Sequence, residues 1–386
     1  MEAILNNLEN YKNAIKEAKN QLLGNLVELG EIPAPTFHEQ RRVQRFAELT
    51  ADAGCQNSAV DEIGNATAIV PGSGDSTGNI LVVAHADTSF SEKVDHSIRL
   101  REDCAIGAGI ADNSMGLAVL ASLPKLLEIL NVELEKDLVL LAASRSLHRG
   151  DLGGIRFFLQ HNTLPLHGGV CLEGAQLGRL SYSCIGMLRG EIRCRVPEQV
   201  DWSKFATSSA IVTLNEIMDE ILQIPVPSRP RTQVVLPRIE GGSSFNRVAK
   251  EALLQFEIRG ESADVIESVA SDIDTIVSEV HCKSDSQVSK EIIARRQPCG
   301  LSFDHPLVAN TRTLLEELGV HPTILPSTSE LSTIIGTGVP AVTIGLSTAD
   351  NRDKKDETIY LDPLYSGIAQ LIGILRAVDE GYCDED

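Results

Sequence analysis

Leu81-Val82-Val83-Ala84-His85-Ala86-Asp87-Thr88, followed by Gly107-Ala108-Gly109-Ile110-Ala111-Asp112-Asn113-Ser114, decides the fold of this chain. Ile80 to Ala84 is short, apolar and carries two valines, the pattern of a buried strand. The strand ends in two polar side chains two residues apart, and that spacing puts His85 and Asp87 on one side. Open α/β sheets build their sites at the carboxyl ends of strands. His85 is therefore a candidate metal ligand, and Asp87 is placed to orient its ring. Asp112 follows a Gly-rich loop and precedes the helical pattern Met115 to Leu130. A carboxylate there can bridge metals or simply cap the helix. Taken singly, each piece has a plainer meaning: His-x-Asp as a local hydrogen bond, Asp112 as a cap.

Upstream, residues 1 to 30 carry apolar side chains at helical spacing until Pro33 and Pro35. Glu39 to Ala53 repeats that pattern. Ala66 to Val70 reads as a strand, and Thr88 to Gly109 as a loop. Downstream, Asp137 to Ala143 is a buried strand, and Gly150-Asp151-Leu152-Gly153-Gly154 opens a helix through Gln160. Gly169 to Leu172 is the next strand, ending at Glu173. This alternation predicts a three-layer α/β domain. The pattern changes near Tyr182. Strands at Arg189 to Val196, Thr232 to Ile239 and Leu253 to Arg259 alternate with helices at Ser208 to Leu222 and Ala263 to Val280. That predicts an α+β insertion over 183–298. The α/β pattern returns with a helix at Pro306 to Leu318, a strand at Ala341 to Ile344 and a helix at Pro363 to Val378. The α/β domain thus spans 1–182 and 299–386.

The chain has 386 residues, of which 42% are hydrophobic and 4% aromatic, with one Trp and a formal charge of −20. Few aromatics argue against a carbohydrate cleft or a base-stacking surface. The negative charge works against nucleic acid and anionic membranes as partners. No segment approaches the ~20 apolar residues of a membrane span. The eight cysteines form no Cys-x-x-Cys pair, and the first residues lack the pattern of an export signal. Reduced thiols in a cytoplasmic protein are the expectation.

Six motifs in order carry a resemblance. They are His85-Ala86-Asp87-Thr88, Gly107-x-Gly109-Ile110-x-Asp112-Asn113-Ser114-x-Gly116, Gly150-Asp151-Leu152-x-Gly154, Glu173-Gly174, Gly241-Gly242-Ser243-Ser244-x-Asn246 and Gly338-Val339-Pro340-Ala341-Val342. The set resembles the co-catalytic zinc peptidase family of peptidase T, glutamate carboxypeptidase, aminoacylase and succinyl-diaminopimelate desuccinylase, from about residue 20 to 378. The resemblance implies a catalytic domain interrupted by a lid that often dimerises, and two zinc ions bridged by one carboxylate. It implies His85, Asp112 and Glu173 as ligands of the first metal, with Asp112 bridging and Asp87 behind the histidine. It also implies Asn246 and Arg259 as the lid residues that hold a substrate carboxylate, a task suited to the guanidinium fork.

The departures from the family decide the functional expectation. Active relatives carry a Glu-Glu pair, general base then second-metal ligand, where this chain has Ser146 and Leu147. Leucine cannot bind zinc, and losing a general base costs about 10²–10⁴-fold in rate. Asp353, four residues before Glu357, stands where relatives have the second-metal histidine, flanked by Arg352, Lys354 and Lys355. The lid histidine maps to Val200, before Trp202. His148 is a possible replacement ligand, and Glu330 falls where relatives have an Asp in a Ser-Thr-Asp-Ala-Asn run. The expectation is a metallopeptidase or amidohydrolase-like protein with a decayed di-zinc site. It holds one zinc or none and binds a small carboxylate-bearing molecule or peptide, with a homodimer through the lid. Two alternatives stand beside it. One is an active zinc-dependent peptidase or N-acyl amino acid amidohydrolase using a single or rebuilt metal site. The other is a structural dimerisation protein.

Overall fold

The computed structural model describes residues 1–74, 78–198, 209–284 and 286–384. The chain divides into two compact units, Met1–Cys184 with Gly300–Asp386, and Ile185–Cys299.

The first unit is built on an eight-stranded sheet. Its strand order is Gln56–Val60, Ala66–Val70, Asp137–Ala143, Asn79–His85, Leu166–Glu173, Ala341–Gly345, Arg179–Ser181 and Thr323–Ile324. The four central strands, from Asp137–Ala143 to Ala341–Gly345, run parallel. Parallel strands need helical crossovers, so a central parallel strand is covered on both faces and is apolar throughout. Asn79–His85 is buried at every position. Ile80, Val82 and Ala84 share one core with the helices Met115–Ile129 and Leu361–Asp379. Leu81 and Val83 alternate to the other face and are equally buried. There Leu81 pairs with Gly169, and a Cβ on Gly169 would lie 3.3 Å from Ile334 of the helix Leu331–Ile335. A second, small sheet joins Ala349–Asp350, Thr358–Tyr360, Cys104–Ile106 and Arg99–Leu100.

Three local expectations change. The helical run over 1 to 30 is three helices, Glu2–Leu5, Leu8–Glu17 and Lys19–Gly30. The loop Thr88 to Gly109 contains the strands Arg99–Leu100 and Cys104–Ile106, which acquire partners only from Thr358–Tyr360 and each other. Asp112 caps no helix. Ile110–Ser114 is a π-helical turn in which Asp112 is extended (φ −136, ψ 80), and the α-helix begins at Met115.

The second unit is a four-stranded antiparallel sheet, ordered Thr232–Gly241, Glu251–Gly260, Gly186–Arg195 and Gln287–Arg296. Alternate residues Leu188 and Ile192, with Leu254, Phe256 and Ile258, pack under the helices Ala210–Gln223 and Ala263–Lys283. The opposite face of the sheet is charged. Among the described residues no helix is long and apolar enough to cross a membrane, and the cysteines form no disulfide.

Candidate metal centre

Three pieces of the first unit converge. His85 is the last residue of its strand, Glu173 is the last residue of the neighbouring parallel strand, and Asp112 sits on the turn between them. One ligand atom from each of His85, Asp112 and Glu173 lies within 4.8 Å of the other two. The turn is held by hydrogen bonds on both sides of Asp112. The Ala111 N–H donates to Glu357 Oε2 at 2.9 Å. Asn113 Nδ2 donates to Leu172 O at 2.8 Å, and Asn113 Oδ1 accepts from the Gly174 N–H at 2.8 Å. Asn113 thereby ties the Asp112 turn to the strand end that carries Glu173. Gly116 makes room for that amide: a Cβ there would sit 2.2 Å from Asn113 Oδ1.

His85 has an acceptor on each ring nitrogen. Nδ1 lies 3.0 Å from Asp87 O, and Nε2 lies 3.0 Å from Asp112 Oδ1. Both acceptors lack protons at neutral pH, so the metal-free imidazole is satisfied only with both of its own. Burial disfavours the charged ring, but Asp112 and Asp87 outweigh it and raise the pKa well above the ordinary histidine value. Glu173 is pushed up to about 7, first by burial and then by Asp112. Burial also works against the Asp112 carboxylate, yet His85 holds it below its usual range. An imidazole and two crowded carboxylates form a donor set matched to a divalent cation, which would replace the Nε2 proton and neutralise both acids.

This crowding has a measurable sign. The ordinary Glu173 pKa is 4.5 and the folded value is about 7. Its contribution to stability is present below pH 4.5 and lost as pH rises through 7. The metal-free Glu173→Gln variant therefore melts above the parent at pH 8, by about 1–3 kcal/mol, and the gain vanishes near pH 4.5. Added zinc stabilises the parent and not the variant. Thermal unfolding at the two pH values, with chelator and with zinc, checks both signs.

Asp87 meets the His85 ring with two of its oxygens. Its main-chain oxygen takes the Nδ1 hydrogen bond, while Oδ1 is 3.3 Å away and makes no hydrogen bond. The side chain is committed elsewhere. Oδ2 accepts from Thr36 Oγ1 at 2.8 Å and from the N–H groups of Ser146 and Leu147 at 3.0 and 2.9 Å. The backbone of Ser146 and Leu147 is thus anchored on Asp87. The Ser146 hydroxyl is buried without a hydrogen-bond partner among the described residues.

The other candidates scatter. Leu147 is half-buried, His148 is exposed at φ +49, and Asp353 is exposed at φ +65. None of them joins the three-residue cluster among the described residues. Val200 and Trp202 lie outside the described residues. Glu330 is buried, with Oε1 unpartnered among the described residues. In the second unit, Asn246 is exposed in the left-handed region. Arg259 stands half-exposed on the open sheet face, its Nε on Glu257. Glu257 also takes Arg189 Nε at 2.6 Å, and these arginines hold its carboxyl below the usual range against the effect of burial.

Sequence reasoning missed three supporting residues. Thr36 binds Asp87. Glu39 is buried and accepts from the Arg145 N–H at 2.8 Å. Arg42 is buried and donates to the carbonyls of Gly30, Ile32 and Ala86. In the sequence, Glu39 and Arg42 resemble ordinary charges of an amphipathic helix; the only hint is the proline-flanked turn before them.

Comparison with known proteins bears on the fold. A profile of the peptidase dimerisation domain of M20 peptidases matches residues 203–284. No curated protein sequence matches the chain. An M20-family metallo-carboxypeptidase from Sulfolobus solfataricus superposes with a TM-score of 0.78 at 14% identity, covering 93% of this chain and 99% of its own. A di-peptidase from Saccharomyces cerevisiae gives 0.78 at 12%, covering 97% and 99%. A dinuclear metal-binding M20 peptidase from Bacillus subtilis gives 0.65 at 14%, covering 95% and 99%. The chain has the M20 peptidase fold over essentially its whole length, with the dimerisation domain inserted in it.

Proposed function

We propose that this chain is a single-metal, ligand-binding form of the M20 hydrolase fold, with the usual hydrolytic activity lost. The observation that carries the reading is the asymmetry of the centre. His85, Asp112 and Glu173 are brought within bonding reach of one cation. The positions that the resemblance gives to the general base and to the second-metal ligand hold a buried serine and an apolar leucine, whose N–H groups are already bound to Asp87. Zinc is the cation these donors suit. When bound it would supply a Lewis acid and lower the pKa of a coordinated water. His85, Asp112 and Glu173 would hold it, and the Asp87 carbonyl would fix the His85 tautomer. Neither Ser146 nor Leu147 can accept a proton from water at neutral pH.

The dimerisation domain supports self-association, and Arg259 and Asn246 are its candidates for anchoring a carboxylate. Arg259 retains its terminal nitrogens beyond the Nε contact with Glu257. A small carboxylate-bearing molecule or peptide is the ligand class this implies.

The test is metal stoichiometry and turnover on the same preparation. The expected result is one zinc per chain and no hydrolysis of dipeptides or N-acetyl amino acids above background. Turnover that disappears in Asp112→Ala would instead establish an active single-metal hydrolase. Absence of any bound ion would remove the reading.

A further inference from the structure

Phe37 and Arg145 come from distant segments of the first unit, and each holds a backbone conformation that side chains avoid. Phe37 has φ +77 and Arg145 has φ +51. The left-handed region is uncommon for any residue with a Cβ and is most costly for a bulky one. Asp87 joins the two segments. Its Oδ2 accepts from Thr36 Oγ1, one residue before Phe37, and from the Ser146 N–H, one residue after Arg145. Arg145 is fixed further by its own backbone. Its N–H donates to the buried Glu39 at 2.8 Å, and its carbonyl accepts from the Gly153 N–H at 3.0 Å. A Cβ on Gly153 would lie 3.6 Å from Arg145 Cβ and 4.0 Å from its Cδ, so the stem runs over that glycine. The guanidinium then lies over the Phe37 ring, with Cζ 5.8 Å from the ring centroid. Phe37 is 45% exposed and Arg145 is half-buried. The pair stands at the end of the sheet that carries His85, since Ala143, two residues before Arg145, pairs with His85.

A guanidinium stacked on a ring uses its face and keeps its in-plane N–H groups. Among the described residues those of Arg145 meet no acceptor: the side chain makes no hydrogen bond and no ion pair. Such a cation is a donor fork held in place and left open, and the group that fits the fork is an oxyanion. We propose that Arg145, stacked on Phe37, is an anion-binding site of the first unit that takes the carboxylate or phosphate oxygens of a small ligand. The site adds an anchor to the ligand-binding reading above and needs no metal ion. Phe37 is its positioning residue: the ring restricts the fork, and the left-handed backbone at both residues is the strain that this placement costs.

The experiment is calorimetric titration of the full chain with N-acetylglycine and, separately, with inorganic phosphate at low ionic strength. It is run on protein as purified and after passage over a chelating resin. The variants are Arg145→Ala, Arg145→Lys, Phe37→Gly, Phe37→Tyr and, as a charge control, Arg41→Ala, an exposed arginine of the helix Gln40–Asp52. The probe that binds the parent more tightly identifies the class of anion. Arg145→Ala should bind at least about tenfold more weakly, because a charge-assisted hydrogen-bond pair is lost. Arg145→Lys should be about three- to tenfold weaker, since an ammonium does not span two oxygens. Phe37→Gly should be about two- to fivefold weaker, the loss of a surface cation–π contact. It should nevertheless melt no lower than the parent, because glycine adopts φ +77 without strain. Phe37→Tyr and Arg41→Ala should bind as the parent does. Arg145→Ala binding within twofold of the parent overturns the proposal. So does the absence of saturable binding of either probe at millimolar concentration, or binding that is lost on the resin. A Phe37→Gly chain that melts well below the parent and keeps full affinity also overturns it. Metal stoichiometry decides the single-metal reading separately, whichever way these titrations fall.

Discussion

Asp112→Ala abolishes measurable zinc binding, with affinity falling by at least about 10³-fold. Second-layer groups around metal ligands are worth 10–100-fold, so a ligand that also organises the other two is worth more. Asp112 touches His85 at 3.0 Å and crowds Glu173, so its loss removes one donor and relaxes both remaining ones. Without it, the metal-free His85 loses the carboxylate that favours its second proton, and Glu173 returns toward an ordinary carboxylate. Asp112→Asn separates charge from shape: it preserves the turn, and it also loses zinc. Competition with a chromophoric chelator measures both. Affinity unchanged in either variant would place the metal elsewhere in the molecule.

Arg42→Met is expected to destabilise the first unit by about 3–5 kcal/mol. Arg42 is fully buried, and its guanidinium donates to Ile32 O at 2.9 and 2.6 Å, to Ala86 O at 3.1 Å and to Gly30 O at 3.2 Å. Burial lowers its pKa to about 10, while Asp87 and Glu39 pull the other way. Methionine matches the stem but leaves three buried carbonyls without donors, and each costs about 1–3 kcal/mol. The damage reaches the metal centre because Ala86 lies between His85 and Asp87. Lysine does not rescue, since a point charge cannot span three carbonyls. Urea unfolding measures the loss, and zinc affinity falls with it. A midpoint equal to the parent would show that the carbonyls find water instead.

The legible parts of this protein are local. Ile80 to Ala84 and Asp137 to Ala143 read as buried strands because a parallel strand covered on both faces has no polar side to show. The carboxyl ends of Ile80 to Ala84 and of Gly169 to Leu172 lead to His85 and Glu173. The Gly-rich turn pointed to Asp112. The strand Gln287–Arg296 was not legible. It alternates poorly and exposes Ile292, and it is a strand because it pairs along Gly186–Arg195. Cys104–Ile106 likewise becomes a strand only through Thr358–Tyr360. The burial of Glu39 and Arg42 was invisible for the same reason. A charge on a helix looks alike whether it faces water or three carbonyls.

By itself the sequence determined most of the strands and helices and the insertion of one unit into the other, with His85 at a strand end as a candidate ligand; Asp112 and Glu173 joined it as ligands only through the family resemblance. The elements follow from periodicity, which neighbouring residues dictate. Tertiary structure alone decided that Asp87 orients His85 through its carbonyl and spends its carboxylate on Thr36, Ser146 and Leu147. It also decided that the Glu357 carboxylate joins the Ala111 and Asp353 backbones, and that Asp353 is exposed. These depend on hydrogen bonds between segments far apart in the chain, and no local pattern encodes which donor a buried carboxylate will meet.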